Sequence, residues 1–558
     1  MKNILLYLFI FLLVFLVRIP GLTSFSTVDE PDYIKYGGNF YYSLGQRDFE
    51  RTNQTYQPAV TTLYASALAF HYVFPEYRGF SPAYFDHTDQ QTNFLEEKGV
   101  EPLTLLLTAR LIMILMVSIM LTITFAFLDM LLGSLPAFVV ISLISFEPYF
   151  LGHSRLLTQE GLMAIAGITS ILGIIVYCIR KDKWIFLVIS SLAAAIAVLT
   201  KITAIVLLPV VFFFLIFISS DSSSRRKRTW QRLFEVMVWS IIFIVFALAV
   251  WPALWNHPLE TIIALFEKSF GFLGSKAGVP IENLSFQGIV GGMTIFNYIK
   301  YLWWQVPPLT WAGFLLILVL VIFRYKMLDR STRVIFFSFL ALGLLMILMM
   351  SFGKKVASHY IMISHTSLNL LAGLGLSGLY EILLKQHFKF PAALITYPAV
   401  LLMAGSLVAP LIGFYPYYFD YLNPIARAVN GNAAIPDNGY GQGLDIAARY
   451  LAEKADSANL TVMSWWSTSL DYFFPGETKQ IAITRNWTPS EAGNLKECDY
   501  LVIYQRTQAE RRIPEALMTI LKNVVPEKSI FLHGLEMVRI YKVSDLPLEV
   551  FSPVMVEP

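Results

Sequence analysis

Charge is scarce in this chain of 558 residues: Asp, Glu, Lys and Arg together make up 15%, against about 25% in soluble globular domains. Cysteine is scarcer still, with Cys178 in an apolar run and Cys498 in a polar tail. Two thiols set so far apart predict no disulfide. The eight histidines form no H-E-x-x-H and no close pair at ligand spacing, so no residue is assigned to a metal. The polar tail holds no G-x-G-x-x-G and no P-loop, and neither a nucleotide nor another cofactor is assigned. A net charge of +3 is too small to imply nucleic acid as a partner. No internal repeat stands out. What is abundant is apolar: 56% of residues are hydrophobic and 15% aromatic, and mean hydropathy is +0.59. That balance points to a multi-span protein whose main partner is a lipid bilayer.

A membrane helix needs roughly 20 mostly apolar residues, and by that measure there are about eleven candidate spans. They lie near 3–19, 104–128, 135–150, 161–179, 184–200, 202–219, 234–252, 309–323, 333–351, 361–380 and 391–413. The first could pass for a signal peptide, but no small-residue cleavage site follows, and it reads as a retained helix. Basic clusters lie at 179–183, 224–232, 324–333 and 385–389. With the N-terminus inside, this span count puts all of them on the cytoplasmic side, as the positive-inside rule asks. The same topology turns outward the first loop 20–103, the turn 147–160, Lys201, the loop 253–308, the turn 352–360 and the tail.

Two domains follow: a multi-span membrane domain over 1–413 and an extracytoplasmic α/β domain over 414–558. In the tail, "GQGLDIAARYLAEKA" has helical spacing, with Leu444, Ala447, Ala448 and Leu451 on one face. "NLTVMSWW" and "CDYLVIYQ" read as short buried strands. "IPEALMTILKNV" is a second helix, and "SIFLHGLEMVRIYKV" a terminal hairpin.

The stretch "FSTVDEPDY" puts Asp29, Glu30 and Asp32 close behind the first apolar run. The pair Asp29-Glu30 has two readings: an interfacial cap on a short helix that Pro31 helps to open, or a general base held at the membrane surface. The outward cations are His153, Arg155, Lys201, Lys354, Lys355 and His359. A charge at a span edge often just snorkels to the headgroups. Lys201 is different, because an ionisable group inside a span costs about 2.5–3.5 kcal/mol and should have an anionic partner. Together these cations suit a lipid-linked phosphate, held as a leaving group while a carboxylate activates an acceptor. The aromatic stretch "YLWWQVPPLTW" at 301–311 reads either as an interfacial belt or as a platform for a sugar or lipid tail.

Along nearly its full length the chain resembles a known family, the polyprenyl-phosphate-sugar-dependent glycosyltransferases of the C-type membrane fold. It looks most like the prokaryotic protein O-mannosyltransferase-like branch, with the lipid A aminoarabinose transferases as relatives. The family's hallmark is an Asp-Glu pair in the first outer loop, here Asp29-Glu30 in "TVDEPDYIKYG". "TYQPAVTTLYASAL" resembles that loop's His-Pro-Gly-Val-Thr-Thr block, and "SRLLTQEGLMA" the block before the fourth span. "LTKITAIVLLP", "FGKKVASHYIMISHTSLNLLAGLGL" and "NGYGQGLDIAARYLAEKA" follow in family order. Five positions depart from the pattern: Gln57 for His, Ala59 for Gly, Glu160 for Asp, His359 for Arg, and Gln442 for Glu.

The resemblance implies a helical membrane protein of about eleven spans with an outer α/β domain. It implies inverting transfer of a sugar from a polyprenyl (or dolichyl) phosphate to an acceptor hydroxyl on the outer face of the cell membrane. The acceptor would be a protein, a glycolipid or a cell-envelope glycan, and mannose is one possible sugar. Asp29 matches the candidate base and Glu30 the second acid. Arg155 and Lys201 match the phosphate side, with Lys354, Lys355 and His359 beside them. His153, Glu160 and Gln57 would support the site. The rival reading is a transporter or flippase of lipid-linked sugar. Transporters commonly carry repeats and broken midplane helices, whereas here the polar residues collect toward one face.

Overall fold

The computed structural model describes residues 2–180, 184–218, 225–274, 294–353, 356–385, 393–430, 439–481, 487–505 and 514–552. Every apolar stretch proposed as a span falls on a helix. Six helices are long and apolar enough to cross a membrane: Pro102–Leu132, Glu160–Arg180, Thr229–Val250, Pro308–Met327, Arg330–Ser351 and Thr396–Gly413. A seventh crossing is possible as a pair, Ser134–Ser145 and Pro148–Ser154, bent by 71°. By length and composition the count is therefore six or seven among the described residues, against the larger number read from the sequence. Three apolar helices are short: Ile4–Leu16, Trp184–Thr200 and Ile202–Phe217. The helix Met362–Lys385 is long, but its first turns carry Ser364, His365, Thr366, Ser367 and Asn369, all buried, which lowers its hydropathy.

The chain divides into two compact units. The first comprises Met1–Pro20, Tyr36–Phe80 and Thr108–Pro436. Its central helix is Glu160–Arg180, whose apolar window is 94% buried. Small residues let the helices meet closely, as membrane bundles require. A Cβ on Gly375 would lie 2.0 Å from the Gly313 carbonyl oxygen, so the helices that carry them cross backbone to backbone. Hydroxyls also bond between helices: Thr124 Oγ1 meets Thr169 Oγ1 at 2.8 Å, and Ser191 Oγ donates to the Trp239 carbonyl at 2.7 Å.

The second unit comprises Gly21–Lys35, Ser81–Leu107 and Asp437–Pro558. Its sheet has the order β2-β1-β3-β5-β4, with β1 Thr461–Ser464, β2 Glu477–Gln480, β3 Tyr500–Tyr504, β4 Lys528–Leu532 and β5 Leu535–Lys542. The β2, β1 and β3 strands run parallel, and β5 pairs antiparallel with both β3 and β4. All five residues of β3 are buried, as a strand covered on both faces requires. One face packs Leu444, Ala447, Ala448 and Leu451 of the helix Leu444–Ala452. The other packs Leu517 and Leu521 of the helix Glu515–Leu521. The β4–β5 hairpin turns at His533 and Gly534, both at positive φ (52° and 79°), as a two-residue turn that matches strand twist demands. Residues 21–35 and 81–107 join this unit rather than staying with the rest of the first loop.

Candidate functional site

The acidic segment belongs to the second unit. Its three acids have separate surroundings. Glu30 opens the helix Glu30–Gln46 and is fully buried. Its Oε2 accepts from the Thr27 amide at 2.9 Å, which ties the helix start to the segment before it. Asp32 accepts from Thr88 Oγ1 at 2.5 Å and from Lys35 Nζ at 3.3 Å. Asp29 is the exposed one; its carbonyl accepts from the Tyr33 amide at 3.2 Å. The two acids of the pair thus differ in their surroundings: Glu30 is buried and bonded to the Thr27 amide, and Asp29 is exposed.

The cations belong to the first unit. Lys201 is buried at the turn before the short helix Ile202–Val206. Its Nζ lies 2.6 Å from Glu160 Oε1 and 5.0 Å from the centre of the Tyr360 ring. The anionic partner that the sequence called for is Glu160, at the N-terminus of the central helix, where the helix dipole also favours a carboxylate. The charge of Lys201 acts on Glu160, as does that of His359 when protonated; burial lowers His153 to about 4, which keeps its ring neutral near neutral pH. His153 is buried, with its ring 4.8 Å from that of Tyr149 and 6.0 Å from that of His359. Tyr149 stacks on His365 at 5.0 Å, and its hydroxyl meets Ser358 Oγ at 2.5 Å. A Cβ on Gly161 would lie 2.5 Å from Ser154 Cα, so glycine there lets the His153–Arg155 turn lie against the start of the central helix. His153, Glu160, Lys201 and His359 are therefore brought together.

Arg155 is fully buried. Its Nη2 donates to the Pro20 carbonyl, and its guanidinium lies 5.0 Å from the centre of the Tyr418 ring. Its Nε and Nη1 make no hydrogen bond. Two fully buried arginines stand close by that the sequence reading missed. Arg18 bonds Ser154 Oγ at 2.9 Å and Ser145 Oγ at 3.0 Å, while its Nη2 makes no hydrogen bond. The positive charge of Arg155 acts on Arg18, and that of Arg110 acts on Arg155. A signal was present: Arg110 stands inside the apolar run "LLLTARLIMIL", the same oddity that singled out Lys201.

Gln57 sits in a turn with Thr55, which donates to the Gln57 carbonyl at 2.6 Å. Two residues on, Ala59 caps the helix Val60–Val73 at φ 51°, a left-handed conformation that glycine adopts more readily. The related block has Gly at that position. Lys354 and Lys355 lie outside the described residues. Among the described residues, no group of three or more His, Cys, Asp or Glu side chains is arranged to hold a metal ion.

The chain matches no family model and no curated protein. Solved structures do resemble it loosely. An oligosaccharyltransferase from Archaeoglobus fulgidus in the apo form aligns at TM-score 0.45 and 12% identity, over 89% of this chain and 69% of that one. ArnT from Cupriavidus metallidurans, bound to undecaprenyl phosphate, aligns at 0.47 and 12%, over 97% and 98%. The arabinofuranosyltransferase AftD from Mycobacteria aligns at 0.40 and 13%, over 97% of this chain and 40% of that one. The overlap is loose in each case.

Proposed function

We propose that the protein is an inverting glycosyltransferase of the C-type membrane fold. It moves a sugar from a polyprenyl-phosphate donor to an acceptor hydroxyl at the outer face of the cell membrane. The acceptor is a protein, a glycolipid or a cell-envelope glycan. In this reading the first compact unit carries the membrane part, and the second, with Asp437–Pro558, is the outer α/β domain. The observation that carries this reading is an excess of buried positive charge. Arg18, Arg110 and Arg155 are fully buried and repel one another in sequence, and three guanidinium nitrogens of Arg18 and Arg155 lack hydrogen bonds. Buried cations are costly unless paired. A phosphate brought in on a lipid would supply both the charge and the acceptor oxygens.

A lipid chain also has a candidate berth. An apolar groove of about 590 Å³ is lined by Ile205, Val206, Pro209, Phe212, Leu345 and Leu348 among others, and Ile205 and Val206 belong to the same short helix that follows Lys201. The chemistry is one displacement. The acceptor oxygen attacks the anomeric carbon as the bond to the phosphate oxygen breaks, and Asp29 takes the hydroxyl proton. Polyprenyl phosphate leaves with its negative charge held by Arg155, aided by Arg18 and Arg110. Lys201 contributes less, because Glu160 already offsets it. Lys354, Lys355 and His359 are further phosphate partners in this proposal, and Gln57 and His153 are supports.

The test is a transfer assay on purified protein in lipid, with several radiolabelled polyprenyl-phosphate sugars and a host membrane and protein extract. Label should reach an acceptor, and Asp29→Asn should lower the rate about 10²–10⁴-fold, the usual worth of a general base, while donor binding persists. Donor movement across the bilayer without release of polyprenyl phosphate would replace this reading with a flippase.

A further inference from the structure

The segment that carries the acidic pair is held by the distant tail. Arg449, on the exposed side of the helix Leu444–Ala452, donates through Nη2 to the Ser24 carbonyl at 2.7 Å and to that of Thr23 at 3.3 Å. Its Nη1 lies 3.4 Å from Oδ2 of Asp445, whose side chain is buried. The guanidinium sits 4.7 Å from the centre of the Phe473 ring. The Asp445 carboxylate and the Phe473 ring thus fix the orientation of a planar fork, and the fork holds two successive carbonyls. Further along, Ser469 Oγ donates to the Thr27 carbonyl at 3.3 Å, while the Thr27 amide donates to Glu30. Thr27 therefore links Ser469 directly to the Glu30 carboxylate. The Val28 amide donates to the Tyr440 carbonyl at 3.3 Å. A Cβ on Gly441 would lie 3.0 Å from Val28 Cγ1, at a backbone φ of 86°, so the tail approaches Val28 closely where glycine is needed.

We propose that the tail is a positioning device for the acidic pair, with Arg449 and Ser469 as positioning residues that fix the backbone of 23–28 and, through it, the carboxylate of Asp29. The proposal rests on the glycosyltransferase reading for its catalytic consequence only. A general base works if it is held within hydrogen-bond reach of the proton it takes. A displacement of about 1 Å can cost 10²-fold in rate. The segment Gly21–Asp29 has no helix or strand of its own to hold it, since the helix begins at Glu30. The tail supplies that rigidity.

The test uses the full chain in lipid, with Arg449→Ala, Arg449→Lys and the nearly isosteric Ser469→Ala. Two quantities are read: amide hydrogen exchange over 23–33, and kcat beside the affinity for a polyprenyl-phosphate sugar. In Arg449→Ala, exchange should quicken about tenfold, as loss of charge-assisted hydrogen bonds implies. The kcat should fall about ten- to a hundredfold, with donor affinity unchanged. Arg449→Lys should recover part of both, because an ammonium can reach one carbonyl but not two, and Ser469→Ala should show the smaller effect of the same kind. Unchanged exchange in both alanine variants would overturn the proposal. So would faster exchange with wild-type kcat. If the wild type transfers sugar from no donor, the functional reading falls, and the exchange measurement alone then decides whether the tail holds the segment.

Discussion

At the scale of single residues, the Lys201–Glu160 pair separates stability from function. Both side chains are buried and 2.6 Å apart. Removing one partner from such a pair typically costs about 3–5 kcal/mol, because the other charge is left buried alone. Lys201→Ala should therefore lower both stability and donor affinity, and affinity more than Asp29→Asn does. The double variant Lys201→Met/Glu160→Leu removes both charges and should regain most of the stability. Donor affinity measured on that variant then isolates the cation. Persisting weak binding assigns Lys201 to the phosphate, and wild-type binding removes it. Much of this was legible in the sequence, since a lysine in an apolar run demands an anion. Glu160 could not be singled out as that anion, because 41 residues separate the two. The different fates of Asp29 and Glu30 were not legible either: neighbours in sequence point different ways only once the helix start is fixed.

At the scale of elements, the apolar runs fix where helices lie but not how each behaves. The run 135–150 breaks where Glu147 caps the next helix, accepting from the Phe150 amide at 2.6 Å with Pro148 behind it. In the tail, β1, β3 and the hairpin were readable from β-branched and aromatic runs. The strand β2, "ETKQ", is polar and was not; it pairs at the edge through its backbone. The helix beside it carries a half-buried acid with a measurable consequence. Enclosure raises Asp471 to about 7 from an ordinary 3.8; the Thr478 hydroxyl opposes the shift, and Glu96 and Asp89 add to it. A carboxyl raised on folding stabilises the fold fully below its unfolded value, and that stability is lost as pH climbs through the folded one. Protection of the Ser467–Asp471 and β2 amides should therefore fall from pH 4 to pH 7 relative to Asp471→Asn measured at the same pH. A constant ratio between the two would remove Asp471 as the cause. The apolar groove makes a separate prediction. Leu345 lines both it and a neighbouring cavity of about 850 Å³. Leu345→Trp should raise KM for a long-chain polyprenyl donor several-fold more than for a short-chain one, since over-filling a packed apolar site costs about 1–3 kcal/mol. Equal effects on both donors would exclude the groove as the lipid's berth.

At the scale of the whole molecule, the hardest feature to read was the division of the first loop. Residues 21–35 and 81–107 join the tail, and 36–80 join the membrane unit. No local pattern announces a partnership across more than 400 residues; Arg449 and Ser24 are 425 apart. What composition does encode is sidedness, through the basic clusters that the positive-inside rule assigns to the cytoplasm. That assignment depends on the parity of the span count, and the count by helix length is six or seven. Parity is open to a direct measurement. Both native cysteines are buried, so background labelling is low. Ser457→Cys places a thiol at the turn before β1, away from the sheet core. A membrane-impermeant maleimide added outside intact cells should label it, and a reagent confined to the cytoplasm should not. The reverse pattern would put the tail, and the Asp29 segment that belongs to the same unit, on the cytoplasmic side. A lipid-linked donor used at the outer face could not then reach Asp29, and the proposed chemistry would fail with the topology.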